Sequence, residues 1–374
     1  MVKSWDIDES DFPKSGSLRD KIRFCLRYAI LAHSTYNNQP WYFVIDEDTV
    51  GVYADRRYAL PVLDPDDRQL TIACGSALYN LRVAARYFGF EENTQLLPNP
   101  ADENLMARVQ FKDAGKMPSE KDIEMFRALP VRHINRSAFD KTDVPEEHLD
   151  ALKSVAREEN TWLHICEGDE RDIVAHFVAE GDQIQMSNKA FRRELAAWAN
   201  ERRFLSRDGY PDYARSLKDM MSSSSPKILR RFETAPGQVV QDDAIAKGCP
   251  VIAILGSEKG SKADRLQTGE ALSAILLKAQ ALGLAVSTMN QPCEVPELRL
   301  RLHDEISDEF SRAHVILRIG YADRVVNLSP RRDIDSFIDS DDDMAFMQQR
   351  ASNDDRKSGG GGLLGFFGRL FGTK

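Results

Sequence analysis

Two sets of residues in this chain have the chemistry to hold a small ligand. The first is a run of short hydroxyl and amide side chains, Ser34, Thr35, Asn37, Asn38 and Gln39, followed at once by Pro40 and the aromatic, β-branched stretch 41–45. Such groups donate and accept hydrogen bonds where a loop enters an apolar strand. The second set is basic: Arg132 and Arg136 in RHINRSAF, and Arg331 and Arg332 in PRRD. Guanidinium forks match the oxygens of a doubly charged phosphate, and gathering these cations without an anion would cost repulsion. The sequence leaves open the alternative that each arginine pair is merely a solvated surface pair.

Other reactive residue types give weaker signals. Cys293, in NQPCE, has no basic partner at a telling spacing, so a nucleophilic role is not expected. His33, His133, His148, His164, His176, His303 and His314 show no metal-ligand spacing, and no metal site is expected. His133 could assist an anion beside Arg132 or lie on the surface.

The elements that must position these groups follow from periodicity. LRDKIRFCLRYAILAHS (18–34) carries Ile22, Cys25, Leu26, Ala29 and Ile30 at helical spacing, and WYFVIDEDTVGVYAD reads as a hairpin turning at 46–49. A turn-rich connection, LPVLDPDDRQL, leads into the buried helix TIACGSALYNLRVAARYFGF. LMARVQF, TWLHICE, CPVIAILGSE and AHVILRIGYAD read as strands, with a helix starting near Pro145 and another over RLQTGEALSAILLKAQALGL. Residues 170–247 read as helical but polar. GSALYNLRVAARYFGF and GEALSAILLKAQALGL echo one another: Gly75/Gly269, Ala77/Ala271, Leu78/Leu272, Ala85/Ala279 and Gly89/Gly283 share one offset. The reading is a duplicated unit, two similar halves packed as a pseudo-dimer within one chain.

Composition sets the class. The 374 residues are 42% hydrophobic and 29% charged, enough for a core, and the formal charge of −9 argues against a nucleic-acid partner. Five scattered cysteines without a CxxC pair read as reduced thiols. No secretory signal and no apolar run of membrane-spanning length is visible, so a cytoplasmic location is expected.

Taken as an ordered set, AHSTYNNQPWYF, DPDDRQLTIACGSALYNLRVAARYFGF, RHINRSAF, GEALSAILLKAQALGLAVSTMNQPCE and LRIGYA…SPRRD resemble the FMN-dependent nitroreductase superfamily, specifically its duplicated Acg-like branch. The resemblance spans roughly residues 18–338. It implies an α+β, tandem (pseudo-dimeric) fold with central, mainly antiparallel sheets flanked by helices, and one FMN between the halves. It places Ser34, Thr35 and Asn37 on the flavin ring and ribityl chain. Arg132, Asn135 and Arg136, with Arg331 or Arg332, would take the phosphate. Pro292, Cys293 and Glu294 would face flavin N5 through their main chain. The chain departs from the family pattern at Ser137, where a basic residue is usual and Arg136 stands one position earlier.

The resemblance implies halves at 18–125 and 126–338; residues about 180–240 stand outside it and read as a lid-like insertion over the flavin or, alternatively, as a helical decoration on the outside. It further implies an NAD(P)H-to-flavin-to-acceptor oxidoreductase, with a nitroaromatic or quinone as the small acceptor; the alternative is a protein that sequesters FMN without turnover. Residues 339–362 read as a disordered linker. In 363–374, Leu363, Phe366, Phe367, Leu370 and Phe371 form one apolar helical face suited to docking on a protein groove or a membrane surface.

Overall fold

Helix α1 (Leu18–Ala29) begins at a capping box in which Ser17 and Asp20 satisfy each other's backbone amides, and it turns Ile22, Cys25, Leu26 and Ala29 inward. In the computed structural model, residues 3–135, 139–199, 203–209, 249–306, 312–322 and 328–338 are described. Arg136, most of the 180–240 insertion and everything beyond residue 338, including the tail expected to dock, lie outside the described residues.

After α1 come the hairpin β1 (Trp41–Asp46) and β2 (Thr49–Ala54), the helix α2 (Arg68–Tyr87), then β3 (Phe90–Leu96), β4 (Leu105–Asp113) and α3 (Glu120–Ala128). The second half repeats the order with additions: α4 (Glu146–Glu158), β5 (Trp162–Cys166), α5 (Asp169–Ser187), α6 (Lys189–Trp198) and α7 (Arg203–Ser206). It continues with β6 (Val251–Ser257), α8 (Lys262–Ala281), β7 (Ala285–Thr288), α9 (Gln291–Glu294), α10 (Pro296–Ile306) and β8 (Arg312–Gly320). Each half builds a four-stranded antiparallel sheet of the same order, β1-β2-β4-β3 and β5-β6-β8-β7. Both sheets slip register at corresponding places: Met106 of β4 and His314 of β8 are each passed over in the pairing with β2 and β6.

The expected pseudo-dimer is seen at its centre. α2 and α8 are both 20 residues long and cross at the two glycines of the repeat. A Cβ on Gly75 would lie 2.0 Å from the Leu266 carbonyl oxygen, and one on Gly269 would lie 1.9 Å from that of Ile72. Ser76 Oγ donates to Gly269 O at 2.9 Å and Ser273 Oγ to Asn80 Oδ1 at 2.6 Å, so the crossing is stitched by polar groups as well as packed. One apolar core runs through it, from Trp41, Phe43 and Val52 to Ala253, Leu255, Leu317 and Ile319.

The sheets are covered unequally. In β3 only Phe90 is buried and the rest alternate between exposed and half-buried, whereas every residue of β6 is buried. Val251, Ala253 and Leu255 face the central core; Ile252 and Ile254 face a second cluster with Val174, Phe177, Cys293 and Leu298 under α5, α9 and α10. Two strands, β3 and β7, were not anticipated from the sequence, and α2 starts at Arg68, a few residues earlier than expected. Residues 328–338 run back to the first sheet, where Phe43 N–H donates to Phe337 O at 2.6 Å and Phe43 pairs with Ile338 in parallel. Asn135 and Asp140 are tied to the second sheet, where Asn135 N–H donates to Val286 O at 3.0 Å and Asp140 N–H to Tyr321 O at 2.7 Å.

No helix of the described residues is long and apolar enough to cross a membrane.

Candidate functional site

The loop between α1 and β1 is held in an uncommon conformation. Tyr36, Asn37 and Gln39 all have φ near +50°, a region non-glycine residues enter at a cost unless their surroundings fix them. The fixing groups are polar. Ser34 Oγ accepts from Gln39 N–H at 2.9 Å. Gln39 Nε2 donates to Asn37 O at 3.1 Å and to Arg207 O at 2.9 Å, while its Oε1 accepts from Arg332 N–H at 3.1 Å. Asn37 Nδ2 donates to Pro330 O at 2.8 Å and its Oδ1 accepts from Arg331 Nη1 at 2.7 Å. The loop and the C-terminal arm thus close on one another across almost the whole sequence.

Arg331 and Arg132 meet at the C-terminal end of α1. Arg331 donates to the carbonyls of Ile30 (3.1 Å), Leu31 (3.3 Å) and Ala32 (2.9 Å); Arg132 donates to Leu31 O at 3.0 Å. Both guanidinium groups lie against the Trp5 ring, at 4.9 and 5.9 Å from its centre. The helix end favours positive charge there. Among the described residues, however, no carboxylate pairs with either. Burial pushes Arg132 down to about 10, and burial with the neighbouring Arg132 charge holds Arg331 well below the usual guanidinium range. Two buried, unneutralised cations are expensive, and an anion with several oxygens would relieve both. Arg331 spends its N–H groups on the carbonyls at the end of α1, on Asn37 and on the Ser329 and Pro330 carbonyls, so it offers an anion charge, whereas Arg132 makes one bond through Nη2 and is the one with donors left for a phosphate oxygen.

Arg332, the other candidate for that role, turns elsewhere. Its guanidinium stacks over Tyr58 (3.8 Å) and Phe337 (4.3 Å) and donates to Gln39 O. Asn135 is buried and tied through its backbone to Val286 and to Arg318, which donates to Asn135 O at 3.3 Å.

The remaining candidates lie around the N-terminus of α2. Thr35 Oγ1 donates to Gln69 Oε1 at 3.3 Å. The buried Asp64 carboxylate accepts the amides of Gln69 (3.0 Å) and Leu70 (2.9 Å). Arg68 Nη1 donates to His314 O at 2.6 Å, whereas Arg68 Nη2 and Gln69 Nε2 are buried without a hydrogen-bond partner among the described residues. Arg68 and Gln69 were not singled out from the sequence. The available signal was two long polar residues placed directly before an apolar helical run, where a surface helix start would carry short capping residues.

Pro292, Cys293 and Glu294 form the short helix α9, and the positive charge of Arg68 acts on both Cys293 and Glu294. Proline has no N–H, and the Glu294 amide already donates to Asn290 O at 2.9 Å, which narrows the three main-chain candidates to Cys293. The Cys293 side chain is fully buried and burial pushes its thiol up to about 11, against nucleophilic use. α5 pins this turn: Gln185 Nε2 donates to Glu294 Oε2 at 2.8 Å and Gln291 Nε2 to Asp182 Oδ1 at 3.0 Å. Burial pushes the Glu294 carboxyl up, opposed by the Gln185 bond and Arg68. α6 then packs Phe191, Leu195 and Trp198 against Leu60, Leu63, Tyr36 and Tyr58 of the first half.

No protein-family model matches the chain. It is 27% identical to a putative NAD(P)H nitroreductase of Mycobacterium tuberculosis, over 81% of this chain and 86% of that one. To the putative NAD(P)H nitroreductase acg of the same organism it is 24% identical, over 84% and 94%. Among solved structures, the FMN-dependent nitroreductase NfnB of Mycobacterium smegmatis, in complex with NADPH, aligns over 57% of this chain and 96% of its own, with a TM-score of 0.40 and 16% identity. A putative nitroreductase of Anabaena variabilis aligns over 73% and 69%, with a TM-score of 0.44 and 9% identity.

Proposed function

From this likeness to nitroreductase-type proteins, the Acg protein among them, we propose that the chain is an FMN-binding oxidoreductase in which one flavin is held between the two halves. The observation that carries the reading is the pair of buried guanidinium groups, Arg132 and Arg331, which converge with Asn37 at the end of α1 and have no carboxylate among the described residues to neutralise them. Arg132 would bond the phosphate and Arg331 would lend it charge, with Arg136 a further candidate. Arg332 and Asn135 would shape the loop and the arm around that grip. Ser34, Thr35 and Asn37 would serve the ribityl chain and ring, joined by Gln69 and Arg68, whose unpaired donors face the interior. Of residues 292–294, Cys293 is the one whose main-chain N–H remains as a donor toward the ring. Bound there, FMN would supply the redox chemistry, accepting a hydride from NAD(P)H and passing electrons to a small acceptor such as a nitroaromatic or quinone.

The cover formed by α5 and α6 supports a second reading, in which the chain sequesters the flavin without turning it over. Rapid mixing of the flavin-loaded protein with NADPH and NADH separates the two: prompt bleaching of the flavin band supports a reductase, and a persistent band supports sequestration.

The binding claim has its own test. The purified full chain should carry or take up one FMN, identified by absorbance and by mass of the released cofactor. Arg132→Gln should weaken FMN binding by roughly 10- to 100-fold, the loss of a charged hydrogen-bonding partner, while a thermal melt checks that the variant is folded. A colourless protein that refuses added FMN would overturn the proposal. The tail expectation is separable: deleting residues 359–374 should leave flavin content unchanged and alter localisation or assembly.

A further inference from the structure

A second cluster of chemically capable side chains lies outside the flavin site, on the outer strand of the second sheet. β5 places His164 and Cys166 two residues apart and so on one face of the strand. The chain then reverses at Gly168, whose φ of 51° and ψ of −127° lie in backbone space that only glycine enters readily. That reversal brings Glu170, in the first turn of α5, back over the strand. The ligating atoms of His164, Cys166 and Glu170 all lie within 4.8 Å of one another, with His164 Nε2 and Glu170 Oε2 2.8 Å apart. Glu170 Oε2 also accepts the Glu167 N–H at 3.0 Å, which fixes the carboxylate in the turn. The thiol forms a buried floor, while the imidazole and carboxylate are partly exposed at 18% and 28%, leaving an approach from solvent.

We propose that His164, Cys166 and Glu170 form a site for a divalent transition metal of the zinc class. One imidazole, one thiolate and one carboxylate select a borderline cation such as Zn2+ or Co2+ over Ca2+ or Mg2+, which take oxygen ligands. Three protein ligands leave a fourth tetrahedral position for water. The site departs from the expectation drawn from histidine spacing because its third ligand arrives by chain reversal, which a search for paired histidines does not register. Its consequence is mechanical: the metal would clamp β5 to the start of α5, the helix that carries Asp182 and Gln185 onto α9.

The test uses the purified full chain, freed of metal with a chelator and titrated with Co2+. The expected result is one equivalent bound, a thiolate-to-cobalt charge-transfer band and the strong visible bands of four-coordinate cobalt. Cys166→Ser should abolish the charge-transfer band. Glu170→Gln, a milder change at the rim, should weaken Co2+ binding at least about tenfold. Cys249→Ser, at another buried thiol of the same apolar cluster as Cys166, should leave the band intact. Absence of stoichiometric Co2+ in the wild-type protein would overturn the proposal, whatever the variants do. So would a cobalt spectrum that survives Cys166→Ser or disappears with Cys249→Ser.

Discussion

α2 and α8 share a length and cross through one pair of glycines, but their N-termini are built in opposite ways. α8 starts in solvent with a closed capping box: Ser261 Oγ accepts the Asp264 amide at 3.2 Å and the Asp264 carboxylate accepts the Ser261 amide at 2.9 Å. α2 starts in the interior. Its N-cap Asp67 is left-handed, with φ of 51°, and makes no side-chain cap; the first-turn amides are taken instead by Asp64, buried several residues upstream. One helix start completes itself, while the other leaves Arg68 and Gln69 directed inward with donors to spare. Two scaffolds of one length thus differ at their starts, and the proposed flavin site lies at the start that is not self-capped. Departures from local self-consistency of this kind mark functional sites.

The shared part of the comparison is the part most easily broken. Gly75→Ala or Gly269→Ala would put a Cβ about 2 Å from a backbone carbonyl oxygen of the opposing helix, where no rotamer change can relieve it. Each should cost more than about 3 kcal/mol or prevent folding, since overpacking against backbone exceeds the usual penalty of a crowded core. Thermal or denaturant melts of the two variants should agree closely. If one were tolerated within about 1 kcal/mol, the halves would not be equivalent at their crossing.

That crossing was legible in the sequence because it rests on spacing: Gly75/Gly269 and the apolar residues around them repeat at one offset. β6 was legible for a related reason, since burial on both faces leaves a continuous apolar run. β3 and β7 were not. Both are outer strands at equivalent places in their sheets, paired on one side only, and FEENTQL meets solvent along one face, so little apolar pattern remains to read. The polar residues of the candidate site divided in the same way. The 34–39 loop and the arginine pairs stand out by residue type. That Arg331 rather than Arg332 joins Arg132 depends on the return of the C-terminal arm, and that Gln69 meets Thr35 depends on how the start of α2 packs on the loop; no local pattern encodes either.

The divergent helix starts give the next effect. Asp64→Ala removes a buried acceptor from two amides that have no local substitute, and should cost about 2–4 kcal/mol. Because the same carboxylate fixes the turn that presents Gln69, FMN affinity should fall with it. Asp64→Asn, which keeps one acceptor oxygen, should recover part of both losses. A loss of stability with unchanged FMN affinity would make Asp64 a purely structural cap and remove the α2 start from the site.

Between the helices sits a charge cluster that should report its own pH dependence. Arg82 of α2 contacts Glu270 (2.5 Å) and Glu159 (2.9 Å) through Nη1 and Glu92 (3.0 Å) through Nε. Burial, opposed by Arg82 and reinforced by Glu159, pushes the Glu270 carboxyl up to about 7. An acid whose folded value exceeds its unfolded one, here 4.5, is bound to its proton more tightly in the folded state. Its contribution is therefore complete below the unfolded value and is lost as pH rises through about 7. Wild-type stability should decline from pH 5 to 8 relative to Glu270→Gln, by about 1–3 kcal/mol. Parallel curves for the two proteins would show that Glu270 is already ionised across that range.

Ser261→Ala should have the smallest effect and completes the contrast with Asp64. It deletes the exposed half of a capping box, leaving the Asp264 amide to water, and costs about 1 kcal/mol in related caps. Among the described residues, the link from that end of α8 to the edge of the site is Arg265 Nη1, which donates to Asp66 O at 3.0 Å; Ser261→Ala leaves that bond in place, so FMN affinity should stay at the wild-type value. Measured side by side, Asp64→Ala should lower both stability and flavin binding, and Ser261→Ala only stability. If Ser261→Ala also weakened flavin binding, the two helix starts would be coupled through the Arg265–Asp66 bond, and a change at either end of the pseudo-dimer would have to be treated as a change to the whole.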